Sequence, residues 1–156
     1  MMLPLGLRIT DIEPGLSNLW LYSLHKTLGL TVLGLIVLRI SWHIASSVPK
    51  PTGGPGWERA AARVSHLLFY ILLLGIPISG WAGSSATGID VMFADRWVVP
   101  AIAAVSQTSE AFWFRLHDIQ TKLLVILIVV HVLAAVKREM AGDGTLTRMI
   151  RGRSKG

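Results

Sequence analysis

No cysteine occurs in the 156 residues, which excludes disulfides, iron–sulfur clusters and thiolate metal sites. Charge is also scarce. Asp, Glu, Lys and Arg make up 15% of the chain, against about 25% in a typical soluble domain. There is no paired-carboxylate constellation, no nucleophile beside a base and no glycine-rich phosphate loop, so hydrolase and kinase chemistry have no support. No internal repeat and no low-complexity tract interrupts the chain. What remains is 52% hydrophobic, more apolar surface than a soluble core of this size absorbs. It is gathered into three runs, at approximately residues 24–45, 61–81 and 116–136. Each has roughly the 20 residues that cross a ~30 Å hydrocarbon layer at about 1.5 Å per residue. The composition predicts an all-α integral membrane protein, a single membrane domain over residues 1–156 whose first partner is lipid.

The formal net charge of +6 reads as a topology signal and not as a nucleic-acid footprint. Lys137, Arg138, Arg148, Arg151, Arg153 and Lys155 follow the third run, and Lys50, Arg59 and Arg63 lie around the first connection. Arg8, Arg96 and Arg115 on the other side are outnumbered by Asp11, Glu13, Asp90, Asp95 and Glu110. The positive-inside rule therefore predicts a cytoplasmic basic tail over residues 137–156 and an extracytoplasmic link over 84–115. Trp20 and Trp81 suit the outer interface, Trp42 and Trp57 the inner one. "SVPKPTGGPGWE" predicts a cytoplasmic turn, Pro77 a kink in the second span, and the long link a short amphipathic surface helix around Val98 to Val105. The opening segment has neither a basic n-region nor a continuous apolar h-region, so it does not read as a signal peptide.

Polar side chains inside such spans need partners, because hydrocarbon cannot hydrate them. All five histidines, His25, His43, His66, His117 and His131, fall in or at the edge of a predicted span. His117 and His131 are 14 residues apart, nearly four helical turns and about 21 Å of rise, so both rings leave one face. His25 opens the first run and His117 the third, and both runs cross in the same direction, so these two sit at similar depth. Two neutral imidazoles at matched depth on neighbouring helices read either as interfacial or interhelical hydrogen-bonding groups or as the two axial ligands of a haem iron, and the 14-residue repeat beside them favours the iron. His66 suits either packing or a haem role. His43, 18 residues after His25, shares its face at five full turns; it reads as an interfacial residue or as a ligand of an inner site. Arg39 lies near the inner end of its span, where a long side chain snorkels. Lys26, Arg115 and Lys122 would attract an anionic substrate or serve as ordinary interface charges.

Several stretches, "LYSLHKTLGLTVLGLIVLR", "WERAAARVSHLLFYILLLGIPISGWAGSSATG", the His117–His131 pair and "GDGTLTRM", resemble the bacterial cytochrome b561 family, in order and over nearly the whole chain from about Leu5. The resemblance implies a transmembrane helical bundle of four helices with two b-type haems, in the bacterial inner membrane. It implies electron transfer between quinone and another donor or acceptor, with superoxide:ubiquinone oxidoreductase activity as one possibility. Carried over by position, His25 and His117 would hold the outer haem and His131 one side of the inner haem. His66 matches a family histidine of open role, and Arg39 a contact to a haem propionate or to quinone. A redox partner protein or a homodimer is compatible with this reading. The alternative is a haem b anchor subunit serving a separate dehydrogenase or reductase. One departure stands out: the family's first helix, with its own His-Trp pair, is not present, and "PLGLRITDI" resembles its last turn. The chain is thus expected to be three spans of a four-helix di-haem cytochrome b fold, its start placed too far downstream. His131 then lacks an assured partner unless His43 supplies one across a depth offset of about 6 Å.

Overall fold

Three helices carry the three apolar runs. The computed structural model describes Gly6, residues 18–46 and residues 56–142. Within it, α1 spans Leu19–Ala45, α2 Gly56–Ala86 and α3 Gln107–Met140, with a hairpin of β1 (Val91–Phe93) and β2 (Trp97–Val99) between α2 and α3. At 27, 31 and 34 residues each helix extends past the expected span at one or both ends, as water-facing turns do where backbone bonding continues beyond the hydrocarbon. All three are long and apolar enough to cross a membrane. Leu35, Leu38 and Leu133 are 61%, 67% and 62% exposed, which suits lipid as the covering solvent and not water. Apart from Gly6, the "PLGLRITDI" segment lies outside the described residues, as do residues 47–55 and the basic tail beyond Gly142.

The helices contribute to two compact units. Among the described residues the first gathers Gly6, 18–46 and 70–121, and the second 56–69 and 122–142. In the second unit Arg138 and Glu58 approach to 3.7 Å, both partly exposed, a pair worth at most about 1 kcal/mol.

In the first unit the two helices meet through small residues. Ser79, Ala82, Gly83, Ser84, Ser85 and Ala86 of α2 are buried, and three glycines each receive a side chain of α3. A Cβ on Gly75 would lie 2.6 Å from the Gln120 amide, on Gly80 3.1 Å from the His117 ring, and on Gly83 2.8 Å from the Phe114 ring. Small residues are how membrane helices let backbones come close, since packing and not hydrophobicity drives their association. Pro77 sits inside α2 and is buried; the helix runs on through it, one backbone donor short.

The surface helix expected around Val98 to Val105 is not formed. Val91, Phe93, Trp97, Val98 and Val99 are β-branched or aromatic and pair instead as an antiparallel hairpin, Val91 opposite Val99 and Phe93 opposite Trp97. Pro100 brings no N–H to extend the ladder. The turn places Ala94 and Asp95 at φ 52° and 54°, a left-handed pair that costs a non-glycine residue about 1–2 kcal/mol. Contacts to α1 offset this. The Ser23 hydroxyl donates to the Asp95 carboxylate, and the Ala94 N–H donates to Thr27 Oγ1 at 3.0 Å. Ser23 and Thr27 are one helical turn apart, so one face of α1 seats the turn. The rest of the link is tied to the end of α2: Trp81 Nε1 donates to the Pro100 carbonyl at 3.1 Å and the Ser106 N–H to the Ala86 carbonyl at 3.1 Å. Thr27→Val, which removes the acceptor for Ala94, is expected to cost about 1 kcal/mol. Ala94→Gly is expected to gain up to about 1 kcal/mol by relieving the turn. Thermal unfolding in detergent checks both signs.

Candidate functional site

The first unit brings His25 of α1 and His117 of α3 together, ring centroids 6.2 Å apart and planes at 81°. His117 is held from α2. Its Nδ1 lies 2.8 Å from the Ile76 carbonyl, an acceptor only, so Nδ1 carries the proton and Nε2 keeps its lone pair. A histidine that ligates a metal through one nitrogen usually gives the other N–H to such an acceptor. His25 Nδ1 is buried and has no hydrogen-bond partner among the described residues. A buried polar atom in that state costs about 1–3 kcal/mol unless a group other than the described residues bonds to it. Gly6 passes this ring closely, a Cβ there falling 3.4 Å from His25 Cε1.

The spacing suits one metal between two imidazoles. Two metal–nitrogen bonds of about 2 Å each, plus the distance from each nitrogen to its ring centre, put the centroids roughly 6 Å apart. No cluster of three or more His, Cys, Asp or Glu side chains that could hold a metal occurs among the described residues. A zinc-type site needs three or four protein ligands, whereas a haem iron needs only the axial ones. The pair therefore fits haem, and the Gly80 position, open to the His117 ring, leaves the room the ring needs.

The second unit forms another pair. His66 of α2 and His131 of α3 have centroids 5.7 Å apart with planes at 54°. Phe69 sets its edge against His131 at 5.2 Å and 89°. His43 is brought not to an imidazole but to Tyr70, centroids 6.2 Å apart, and with Ile40 and Ile44 the two line a shallow cleft of about 220 Å³. Arg39 is exposed on α1.

Four polar or small participants were not legible beforehand: Ser79, Gln120, Tyr70 and the glycine ladder. Gln120 carries a signal in retrospect, standing one turn after His117 on the same face, and so does the Gly75, Gly80, Gly83 spacing.

Apolar spanning helices that bring four of five histidines together in two pairs, with no third such ligand beside either pair among the described residues, fit the class of membrane haem b proteins. A family model for prokaryotic cytochrome b561 matches residues 1–152, and the chain belongs to that family of membrane electron-transfer proteins. It is 34% identical over 132 residues to cytochrome b561 homolog 2 of Escherichia coli (strain K12), covering 82% of this chain and 69% of that protein. With cytochrome b561 homolog 1 of the same organism it is 28% identical over 116 residues, covering 74% of this chain and 64% of that protein.

Proposed function

We propose that this chain carries single electrons between an extracytoplasmic donor, superoxide or a quinol, and membrane quinone, with haem b held by His25 and His117. The observation that carries the assignment is the His117 ring, fixed through Nδ1 by the Ile76 carbonyl and set 6.2 Å from His25. Bound there, haem supplies a one-electron couple whose potential the protein sets through its ligands and their surroundings. His25 and His117 supply the lone pairs, Ile76 keeps the His117 tautomer, and Gly80 leaves space for the His117 ring against α2. His131 is assigned to a second haem, with His66 the described imidazole beside it. Arg39 is assigned to a propionate or quinone oxygen.

The cleft lined by Ile40, His43, Ile44 and Tyr70 is apolar and open, and we assign it to the ring of a quinone on the strength of that apolar lining. Each superoxide oxidised to dioxygen gives up one electron, and two electrons with two protons convert quinone to quinol. The orientation proposed puts the basic tail in the cytoplasm of a bacterial inner membrane.

Stopped-flow spectra of the purified protein test the reading. A superoxide pulse is expected to reduce the haem b bands, and added ubiquinone to reoxidise them. A protein with its full haem content that neither superoxide nor a quinol reduces would sink the proposal and favour an anchor subunit fed by a dehydrogenase.

A further inference from the structure

Among the described residues Ser79 is the largest fully buried side chain, 1% exposed, and it is polar within a membrane-spanning helix. Such a group is retained where it is fully bonded or used. Its hydroxyl lies 2.9 Å from the Ile76 carbonyl, 2.9 Å from Gln120 Oε1 and 3.4 Å from His117 Nδ1. A hydroxyl has one proton to give, and two of these neighbours are acceptors competing for it. One of them, the Ile76 carbonyl, is the same oxygen that accepts from His117 Nδ1 at 2.8 Å. Gln120 is kept at Ser79 by the absence of a side chain on Gly75, whose Cβ would fall 2.6 Å from the amide nitrogen.

From this arrangement we infer that Ser79 and Gln120 are positioning residues that set the electron-donating strength of His117, and through it the redox poise of the site. The inference rests on His117 being a haem ligand. When Ser79 donates to Ile76, the carbonyl is shared between two donors and its bond to His117 weakens. When Ser79 donates to Gln120, the carbonyl serves His117 alone. A stronger Nδ1–H bond makes the imidazole a better donor and favours oxidised iron. Neither Ser79 nor Gln120 needs to touch the iron for this to operate, and no proton has to leave the network.

The two residues therefore pull in opposite directions. Ser79→Ala removes the competing donor, strengthens the His117 bond and lowers the midpoint potential. Gln120→Leu returns the Ser79 proton to Ile76, weakens the His117 bond and raises the midpoint potential. We expect a shift of about three-fold in the reduced-to-oxidised ratio at fixed poise in each case, roughly 30 mV for a one-electron couple.

Two measurements are made on each variant: a spectroscopic redox titration of the haem-loaded protein, and the ¹⁵N shift of the His117 ring in histidine-labelled, haem-free protein. Opposite shifts of the midpoint, matched by opposite movements of the Nδ1 resonance, support the inference. Shifts of the same sign, as a general loosening of the helix contact would give, or no shift, overturn it. Failure of the underlying assignment looks different. Haem would survive His117→Ala, while the ¹⁵N measurement would still report whether Ser79 and Gln120 act on the ring.

Discussion

Membranes carrying the His117→Ala chain are expected to lose the reduced-minus-oxidised haem b absorbance of the His25–His117 site, and His25→Ala membranes to lose it as completely. The two rings stand 6.2 Å apart, close enough to share one iron and too far to bond each other. On the proposed assignment each supplies one of two protein ligands, so removing either leaves a single one. Outer-shell changes at metal sites already cost 10–100-fold in affinity, and loss of a ligand is expected to exceed that. His131→Ala should leave this site intact and lower haem per chain only at the second pair. Quantifying haem against polypeptide for the three variants decides the matter. A His25→Ala protein with undiminished haem would refute the assignment, because no other imidazole among the described residues is brought to His117.

The second large effect is steric. Gly83→Val is expected to disrupt the first unit, and Gly80→Ala to displace the His117 ring. At Gly83 a Cβ would meet Phe114 Cδ1 at 2.8 Å and Cε1 at 2.9 Å. These are atoms of a packed aromatic ring and not the end of a flexible chain, so α3 itself must retreat. Overpacking of this kind costs about 1–3 kcal/mol for a methyl-sized intrusion and more for a branched side chain. At Gly80 the new methyl would stand 3.1 Å from His117 Cε1 and Nδ1, directed at the ring whose 2.8 Å bond to Ile76 fixes its tautomer. Gly34→Ala is the control, since a Cβ there meets nothing within 4 Å. Melting temperatures in detergent and haem retention should fall for the first two variants and hold for the third. Equal behaviour of all three would mean that the ladder does not carry the contact.

The spanning helices were the most legible part of the chain, because a membrane demands about 20 apolar residues and no tertiary detail alters that. The His25–His117 pairing was legible for a related reason. Depth in a bilayer is read from position along a span, so residues opening two parallel spans can be matched without knowing the packing. Azimuth was not legible. In α1 and α3 polar and apolar residues are spread nearly evenly round the helix, so no polar face shows which side meets a neighbour, and the placing of His43 beside Tyr70 is not readable from the periodicity of α1. The 98–105 segment reads as a helix because a stretch rich in Val and Ala suits both periods when short, yet it forms a strand end and an irregular stretch. Tertiary support decided it: the hydroxyls of Ser23 and Thr27 hold the turn of a hairpin in place.

That docking has a bearing on biosynthesis. Ser23 and Asp95 are separated by 72 positions and Thr27 and Ala94 by 67, so α1 leaves the ribosome well before the turn that meets it has been made. During that interval its two hydroxyls are without these two partners. Closing so long a loop costs little more than closing one half as long, about 0.6 kcal/mol for a doubling. The delay is therefore a matter of order and not of energy. The setting of α1 against the turn waits on the segment between α2 and α3.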